Sequence, residues 1–584
     1  MRNLRQFIDA LRHERDLVTI TAEVDPYLEI AEIHRRVIAE GGPALLFTNV
    51  KGSKFPVVTN LFGTLKRVEL AFGERPKAFV RRGVEALDTL MPPTFGAVWN
   101  LRDLAAEGLK IGLKQITRPP VLQARQPSPK LTELPLLQLW PEDGGHFVTL
   151  PLVYTEHPDT GKHNLGMYRI QRFDDTTTGI HWQIHKGGGY HYHAAEQKNQ
   201  ALPVTLMIGG PPALMLAAIA PLPEDIPELL LASLLLGEKL SMSRVPDHPL
   251  PVVADCEFAI TGRVPPRERR PEGPFGDHYG YYSLKHDYPV FHVDQVYHRP
   301  DAIFPATVVG KPRQEDYFIG DYLQELLHPL FHIVMPSVRD LWTYGETGFH
   351  SLAAARVKDR YPREALVSGF RILGEGQLSL TKILMLTDGD IDLRRFRDLM
   401  AYFVARTDFT RDLFVFANVA QDTLDYTGPS VNEGSKAIWL ALGEPRRQCP
   451  GTFVGSLPSG FANPRAFCPG VLVIEGAPYG EEPDQKDRLA QTDSLADWPM
   501  VFLVDDSACV AREEDFLWTV FTRFEPAHDM TAKAMPVTRL HLGFEPPVVI
   551  DCRMKPWYPG VVEPTAETVV QVDRRWGDYF PAVT

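Results

Sequence analysis

Three short segments gather the side chains best suited to chemistry. In HWQIHKGGGYHYH, His181, His185, His191 and His193 place four of the chain's 19 histidines in one short run. A solvent-facing loop with satisfied imidazoles accounts for any one of them alone. As a cluster beside Trp182, Lys186 and three glycines, they equally suit a metal or an anionic ligand. Glycines let backbone N–H groups close on an anion, and Lys186 adds positive charge. In HNLGMYRIQR, strand alternation puts Asn164, Gly166 and Tyr168 on one face and Leu165, Met167 and Arg169 on the other. An inward arginine keeps its proton, so it needs either a core carboxylate or an anionic ligand. In RRPEGPFGDHYGYY, Glu272 and Asp277 ride a loop stiffened by Pro271 and Pro274. An exposed acidic turn is one reading. The other is acid–base work, because desolvation beside aromatic residues lifts a carboxyl pKa towards neutrality.

The elements that must carry these segments are legible in outline. Residues 28–39 have helical apolar spacing, and ALLFTNV and PVVTNLFG read as strands, so the chain opens as mixed α/β. Thr117–Leu139 reads as a linker or wrapping segment. From Val148 onward, LPLVYTEH, NLGMYRIQRF, GIHWQIHK and PVTLMIGG are short strand-like runs, the texture of an antiparallel sheet or barrel. IPELLLASLLLG predicts an apolar helix with Glu228 in its first turn and a glycine stop. PVVADCEFAITG and YPVFHVDQVYH predict further strands. Beyond residue 315 an α/β pattern returns, with YFIGDYLQELLHPLFHIV as one long helix. Two later segments, LMLTDGDIDLRRFRDLM and FLVDDSACVAREEDFLW, match at an offset of 117 residues, sharing Leu386/Leu503, Asp388/Asp505 and Asp398/Asp515. They are either an internal duplication or two α/β units alike by chance.

The 584 residues carry a formal net charge of −13, which argues against gripping nucleic acid or an anionic membrane. Proline, at 51 residues, is about twice average usage without any period, so turns rather than disorder are expected. Five scattered cysteines never form a C-x-x-C pair, which disfavours a disulfide framework or thiolate zinc site. With no apolar leader at the N-terminus, a cytoplasmic protein is expected. Residues 201–223 are uncharged, but their prolines and glycines favour a buried strand and turns over a membrane span.

Taken in order, N-x-x-x-x-R, W-x-x-H-K-G-G, PLP-x-x-x-x-E-L-L, P-E-G-P-F-G-D and N-E-G-S-K resemble the UbiD family of prenylated-FMN-dependent decarboxylases, over residues 1 to about 440. The resemblance implies an N-terminal α/β domain (1–115), a central flavin-binding split β-barrel (116–315), and a C-terminal α/β oligomerisation domain (316–584) with an extended tail. It makes Asn164, His185 and Glu228 ligands of Mn²⁺ or Mg²⁺, with K⁺ close by. It places Met167, Tyr168, Arg169, His181, Trp182, Gln183, His185, Lys186 and Gly187 around prenylated FMN, and Lys436 at its phosphate. It makes Arg169, Glu272 and Asp277 the catalytic network, with Asp277 kept protonated by burial and negative neighbours. The implied reaction is reversible, non-oxidative loss of CO₂ from a hydroxylated or polycyclic aromatic carboxylic acid, in ubiquinone or menaquinone biosynthesis or aromatic-acid metabolism. The implied partners are a flavin prenyltransferase and further copies of the chain, as a dimer or hexamer. A prenylated substrate would add peripheral membrane association. The competing readings are a flavin-binding redox or carrier protein, which leaves both loop carboxylates idle, and a metallohydrolase built on the histidines. The role of the tail beyond residue 440 stays open between structure, assembly and pocket shaping.

Overall fold

A computed structural model describes residues 1–89, 108–182, 187–220 and 227–581. They form two compact units: residues 1–326 together with the chain's end from 561, and residues 327–560.

After a helix over Leu4–His13, the first unit continues with β1 (Leu17–Ile20), α1 (Glu29–Ala39), β2 (Ala44–Phe47) and β3 (Val57–Thr59). Strand β1 runs parallel to β2, β3 antiparallel to it, and Phe304–Pro305 completes this four-stranded sheet. Ile30, Ile33 and Val37 recur at helical spacing and bury the inner face of α1.

The larger sheet has ten strands: β4 (Ala124–Arg125), β5 (Phe147–Val148), β6 (Pro151–Glu156), β7 (His163–Gly166), β8 (Ile170–Arg172), β9 (Thr177–Ile180), β10 (Leu202–Ile208), β11 (Phe258–Val264), β12 (Arg269–Glu272) and β13 (His286–His298). Its path is β5-β8-β9-β13-β11-β10-β6-β7, with β4 and β12 also paired to β13. Strand β7 closes one end of this path and β8 stands next to the other, yet only Met167–Arg169 lie between them. Four Cα steps reach at most about 14 Å. The sheet therefore curls until its two ends approach one another across Met167–Arg169. No ladder joins the ends among the described residues, so the expected barrel is an open, curled sheet. The same three residues interrupt the continuous strand predicted through NLGMYRIQRF.

Three helices dress this sheet: α2 (Gly187–Gln197), α3 (Pro212–Ile219) and α4 (Glu228–Leu236). Helix α4 stops at Gly237, whose φ of 74° is the left-handed cap the glycine predicts. The uncharged stretch contains β10, as expected, and also α3, whose Pro212 lies in its first turn, where no backbone donor is needed. No described helix is long and apolar enough to cross a membrane. The long helix predicted beyond residue 315 ends at Leu327, because Pro329 opens a 3₁₀ turn before Phe331–Val334.

In the second unit, β14 (Val338–Thr343), β15 (Leu352–Val357), β16 (Ile383–Thr387), α5 (Phe396–Arg406), β17 (Leu413–Ala420) and β18 (Glu433–Ala441) form one sheet, in the order β14-β15-β16-β18-β17. A second set follows: β19 (Phe461–Cys468), β20 (Val471–Gly476), β21 (Met500–Val504), α6 (Glu513–Phe521), β22 (Met530–Ala534) and β23 (Glu545–Asp551), in the order β19-β20-β21-β23-β22. Strand directions agree pair by pair, antiparallel at both edges and parallel in the middle. The matched segments fall at β16 then α5 and at β21 then α6, so the 117-residue offset is one α/β fold occurring twice. The copies share an apolar core, where Phe396 of α5 meets Phe521 of α6 at 5.5 Å and Phe467 stacks on Phe516 at 3.6 Å. Their contacts are reciprocal. The loop after α5 accepts at Phe409 O from Phe544 N just before β23, and the loop after α6 donates from Ala527 N to Ser435 Oγ of β18. Such exchange is the signature of an isologous, two-fold pairing, here made within one chain.

At Val561 the chain returns to the first unit and ends in α7 (Ala566–Tyr579), packed on α1.

Candidate active site

The acid loop leaves β12, which pairs with β13 and holds Glu272 fully buried. Gly273 follows at φ 92°, a conformation only glycine adopts without strain. The loop is then tied down from beneath. Asp143 Oδ1 accepts from Gly276 N at 2.8 Å, while its Oδ2 accepts from Leu139 N and Trp140 N. The Gln171 side chain bridges two segments, accepting from Gly273 N and donating to Gly144 O. A Cβ on Gly276 would lie 2.1 Å from Trp140 Cδ1, so this wall admits no larger residue there. Sequence reasoning misses Asp143, Gln171 and Trp140, because they act through backbone N–H groups and packing. Two signals exist: Gln171 falls two residues beyond Arg169, on the same side of an extended chain, and Asp143 precedes a glycine pair.

Arg169 lies where the curled sheet's ends approach, and it joins both loop carboxylates. Its Nε and Nη2 donate to Glu272 Oε1 and Oε2 at 2.8 and 2.9 Å, a bidentate pair. Its Nη1 donates to Asp277 Oδ2 at 2.6 Å, and Nη2 also reaches Ser283 Oγ at 3.0 Å. Behind Glu272, His181 Nδ1 approaches Oε2 at 3.2 Å, and the His181 ring packs on Tyr288 at 4.3 Å. Burial works against ionisation of Glu272, yet Arg169 and His181 outweigh it and hold its pKa at about 2.

Asp277 departs from expectation. Burial again pushes its carboxyl up, but His278 and Arg169 hold it well below the usual range. His278 donates its backbone N–H to Asp277 Oδ1 and sets its ring Nδ1 2.7 Å from the same oxygen. The expected protonated Asp277 required burial and negative neighbours; burial is present, but His278 and Arg169 lie against the carboxyl and favour its ionised form.

A second group of residues forms a cradle beside this network. The Tyr168 hydroxyl accepts from Gly188 N at 3.2 Å and from Asn164 Nδ2 at 3.3 Å, so Asn164 and Tyr168 share a side as alternation predicts. Gly187 and Gly188 leave space that a side chain would fill, since added Cβ atoms would lie 2.0 Å from Asn164 Oδ1 and 2.6 Å from Trp182 Nε1. Trp182 Nε1 and His181 Nε2 are buried and have no hydrogen-bond partner among the described residues. Buried polar atoms are ordinarily satisfied, so these two are candidates to meet a ligand's polar atoms. Glu228, at the start of α4, accepts from Leu165 N, and burial raises its carboxyl pKa. The structure thus brings Asn164, Tyr168, His181, Trp182, Gly187 and Glu228 together, with Met167 in the crossing beside Arg169. Gln183, His185 and Lys186 lie outside the described residues. His191 is a core histidine bonded to Thr155 Oγ1, its pKa lowered to about 4 by burial, and His193 is exposed. Lys436 belongs to the second unit, on β18, where it donates to Thr381 O and burial lowers its pKa to about 8.

Models of the 3-octaprenyl-4-hydroxybenzoate carboxy-lyase match this chain in three parts: the N-terminal domain at residues 8–87, the Rift-related domain at 114–312 and the C-terminal domain at 317–441. The chain is 49% identical to an uncharacterised Chlamydia trachomatis protein, with 100% of both chains covered, tail included. It is 49% identical to a Chlamydia pneumoniae protein named as part of a 4-hydroxybenzoate decarboxylase, covering 99% of this chain and 98% of that one. In fold it is similar to the vanillic acid decarboxylase of Sedimentibacter hydroxybenzoicus in closed form, at TM-score 0.67 and 24% identity over 79% of this chain and 96% of that one. It is similar also to the UbiD-class enzyme HmfF from Pelotomaculum thermopropionicum in complex with FMN, at TM-score 0.63 and 23% identity over 78% and 98%. With full-length relatives at this identity and family models spanning its first three-quarters, the chain belongs to the UbiD family of carboxy-lyases.

Proposed function

We propose that the chain reversibly decarboxylates a hydroxylated or polycyclic aromatic acid, using prenylated FMN and a divalent cation. The observation that carries this reading is one buried arginine shared by two carboxylates, Glu272 and Asp277, beside a cradle with two ring nitrogens unpaired among the described residues. The open, curled sheet would serve as the flavin-binding split barrel. Tyr168, His181, Trp182 and the Gly187–Gly188 backbone would hold the flavin. Asn164 and Glu228, with His185, would hold Mn²⁺ or Mg²⁺ at its phosphate, since oxygen ligands with one imidazole suit a hard cation. When bound, the prenylated flavin supplies an electron sink for the pair left on the ring carbon as CO₂ departs.

The protein's own part follows from its charges. Glu272 stays ionised and fixes Arg169 through two parallel bonds. A substrate carboxylate that engages Arg169 Nη1 displaces Asp277 from that nitrogen. Deprived of the guanidinium, Asp277 is left between burial, which raises its pKa, and His278, which lowers it and can pass it a proton across the 2.7 Å contact. The protonated Asp277 then gives its proton to the carbon that lost CO₂, so one carboxylate and one proton become one arene and CO₂. A redox or carrier role would leave this acid network without a task.

The decisive experiment is co-expression with a flavin prenyltransferase, followed by a panel of aromatic acids headed by 4-hydroxybenzoate, the acid in the name of the Chlamydia pneumoniae relative. CO₂ release and proton/deuterium exchange at the carboxyl-bearing carbon are the expected readouts. Activity in protein free of flavin would overturn the reading. Gly188→Ala should lower flavin bound per chain about tenfold or more, matching the roughly 1–3 kcal/mol that overpacking costs. Wild-type flavin absorbance in that variant would show the cradle to be elsewhere.

A further inference from the structure

The tail re-enters the first unit beside the acid loop. Gly276 and Tyr282 bridge across that loop, and Asp277 N donates to Tyr281 O at 3.0 Å, closing a tight turn with Asp277 at its start. Against the outer side of this turn, Val561 forms an antiparallel bridge with Tyr281, and Val562 N donates to Gly280 O at 3.0 Å. The tail thus bonds, through one bridge and one backbone hydrogen bond, to the turn that carries Asp277. Beyond it, Pro564, Thr565 and Thr568 line a narrow cleft with Trp140 and Pro141, the wall against which Gly276 packs.

Helix α7 anchors this strap. Thr565 caps it, Oγ1 accepting from Thr568 N, and Val572 and Tyr579 are buried in the core that includes α1. Arg36 of α1 pairs with Asp573 at 2.5 Å and donates to Val569 O, while Glu29 of α1 takes both Arg575 and the Tyr579 hydroxyl. A free tail needs no buried carboxylate such as Glu29 as its anchor. This one is fixed at its end and bonded at its start to the turn that presents the acid.

We propose that residues 561–580 are a positioning strap for the acid loop, holding Asp277 at the reacting carbon; the proposal rests on the decarboxylase reading above. Val562 acts through its backbone N–H, and Arg575 and Tyr579 act through Glu29. None is a catalytic residue. Proton transfer is sensitive to placement: an error of about 1 Å costs up to about 100-fold in rate.

Val562→Pro removes the donor to Gly280, and Val562→Ala keeps it. In full-length holoenzyme, Val562→Pro should lower kcat about tenfold or more, with KM and flavin content unchanged and Val562→Ala close to wild type. The double variant Arg575→Ala/Tyr579→Phe, which frees the anchor without touching the strap backbone, should show the same split. Equal loss in Val562→Pro and Val562→Ala, or wild-type kcat in both Val562→Pro and the double variant, overturns the strap. Amide hydrogen exchange over residues 273–283 reads it independently of chemistry. Faster exchange in Val562→Pro is expected, and unchanged exchange overturns the proposal. A wild type silent on every acid, with loop exchange still responding to Val562→Pro, overturns the decarboxylase reading while leaving the strap.

Discussion

Asp277→Asn holoenzyme should bind its flavin as wild type does and lose turnover about 10²- to 10⁴-fold, the contribution of a positioned general acid. Asparagine keeps the size of Asp277 and, through its one amide oxygen, can still accept from either Arg169 or the His278 backbone N–H. It carries no transferable proton. Geometry is therefore nearly conserved while the proposed chemistry is removed. Flavin absorbance per chain controls for loading, and deuterium exchange at the carboxyl-bearing carbon isolates the proton step from CO₂ release. A variant retaining a tenth of wild-type exchange would show that another group delivers the proton, with His278, 2.7 Å from the same carboxylate, as the first to test.

Arg169→Ala should destabilise the folded protein by about 3–5 kcal/mol near neutral pH, the loss seen when one partner of a buried pair is removed. The sign of its pH dependence is the sharper test. In the wild type, Glu272 sits at about 2, below its ordinary value of about 4.3. The pair's contribution is therefore present above that ordinary value and lost as pH falls through 2. In the variant, Glu272 keeps its burial and loses its cation, so its pKa rises above the ordinary value. Its ionisation then opposes folding increasingly as pH rises. The gap between wild-type and variant unfolding temperatures should widen from pH 5 to pH 8. A gap that stays constant across that range would mean that Arg169 contributes packing alone.

Much of this site is legible before any fold is known. PEGPFGD announces two carboxylates on a stiff loop, and NLGMYR announces an arginine that alternation turns away from Asn164. The repeated segments leave duplication and chance likeness open through their spacing, and they fall in two sheets of the same strand order. Three things are not legible. The state of Asp277 depends on its neighbour His278 and also on a cation brought from elsewhere, Arg169 being 108 residues distant. Asp143 and Gln171 act by accepting from backbone N–H groups, a role that leaves little mark on residue type. Val562 works through a group that every residue but proline possesses.

Local chemistry decides which side chains carry charge, where glycine must sit and where helices stop. In this chain the sequence alone determined the acid loop, the glycine cradle at 187–188, the stop at Gly237 and the family. The tertiary structure decided which charges meet. A curled sheet, whose ends approach across three residues, sets Arg169 between Glu272 and Asp277 and favours the ionised form of both. A tail more than 280 residues beyond that loop braces it, through Val562 and Gly280. Burial and charge pairing act over distances of a few ångströms, and only folding makes those distances small between residues so far apart in the chain.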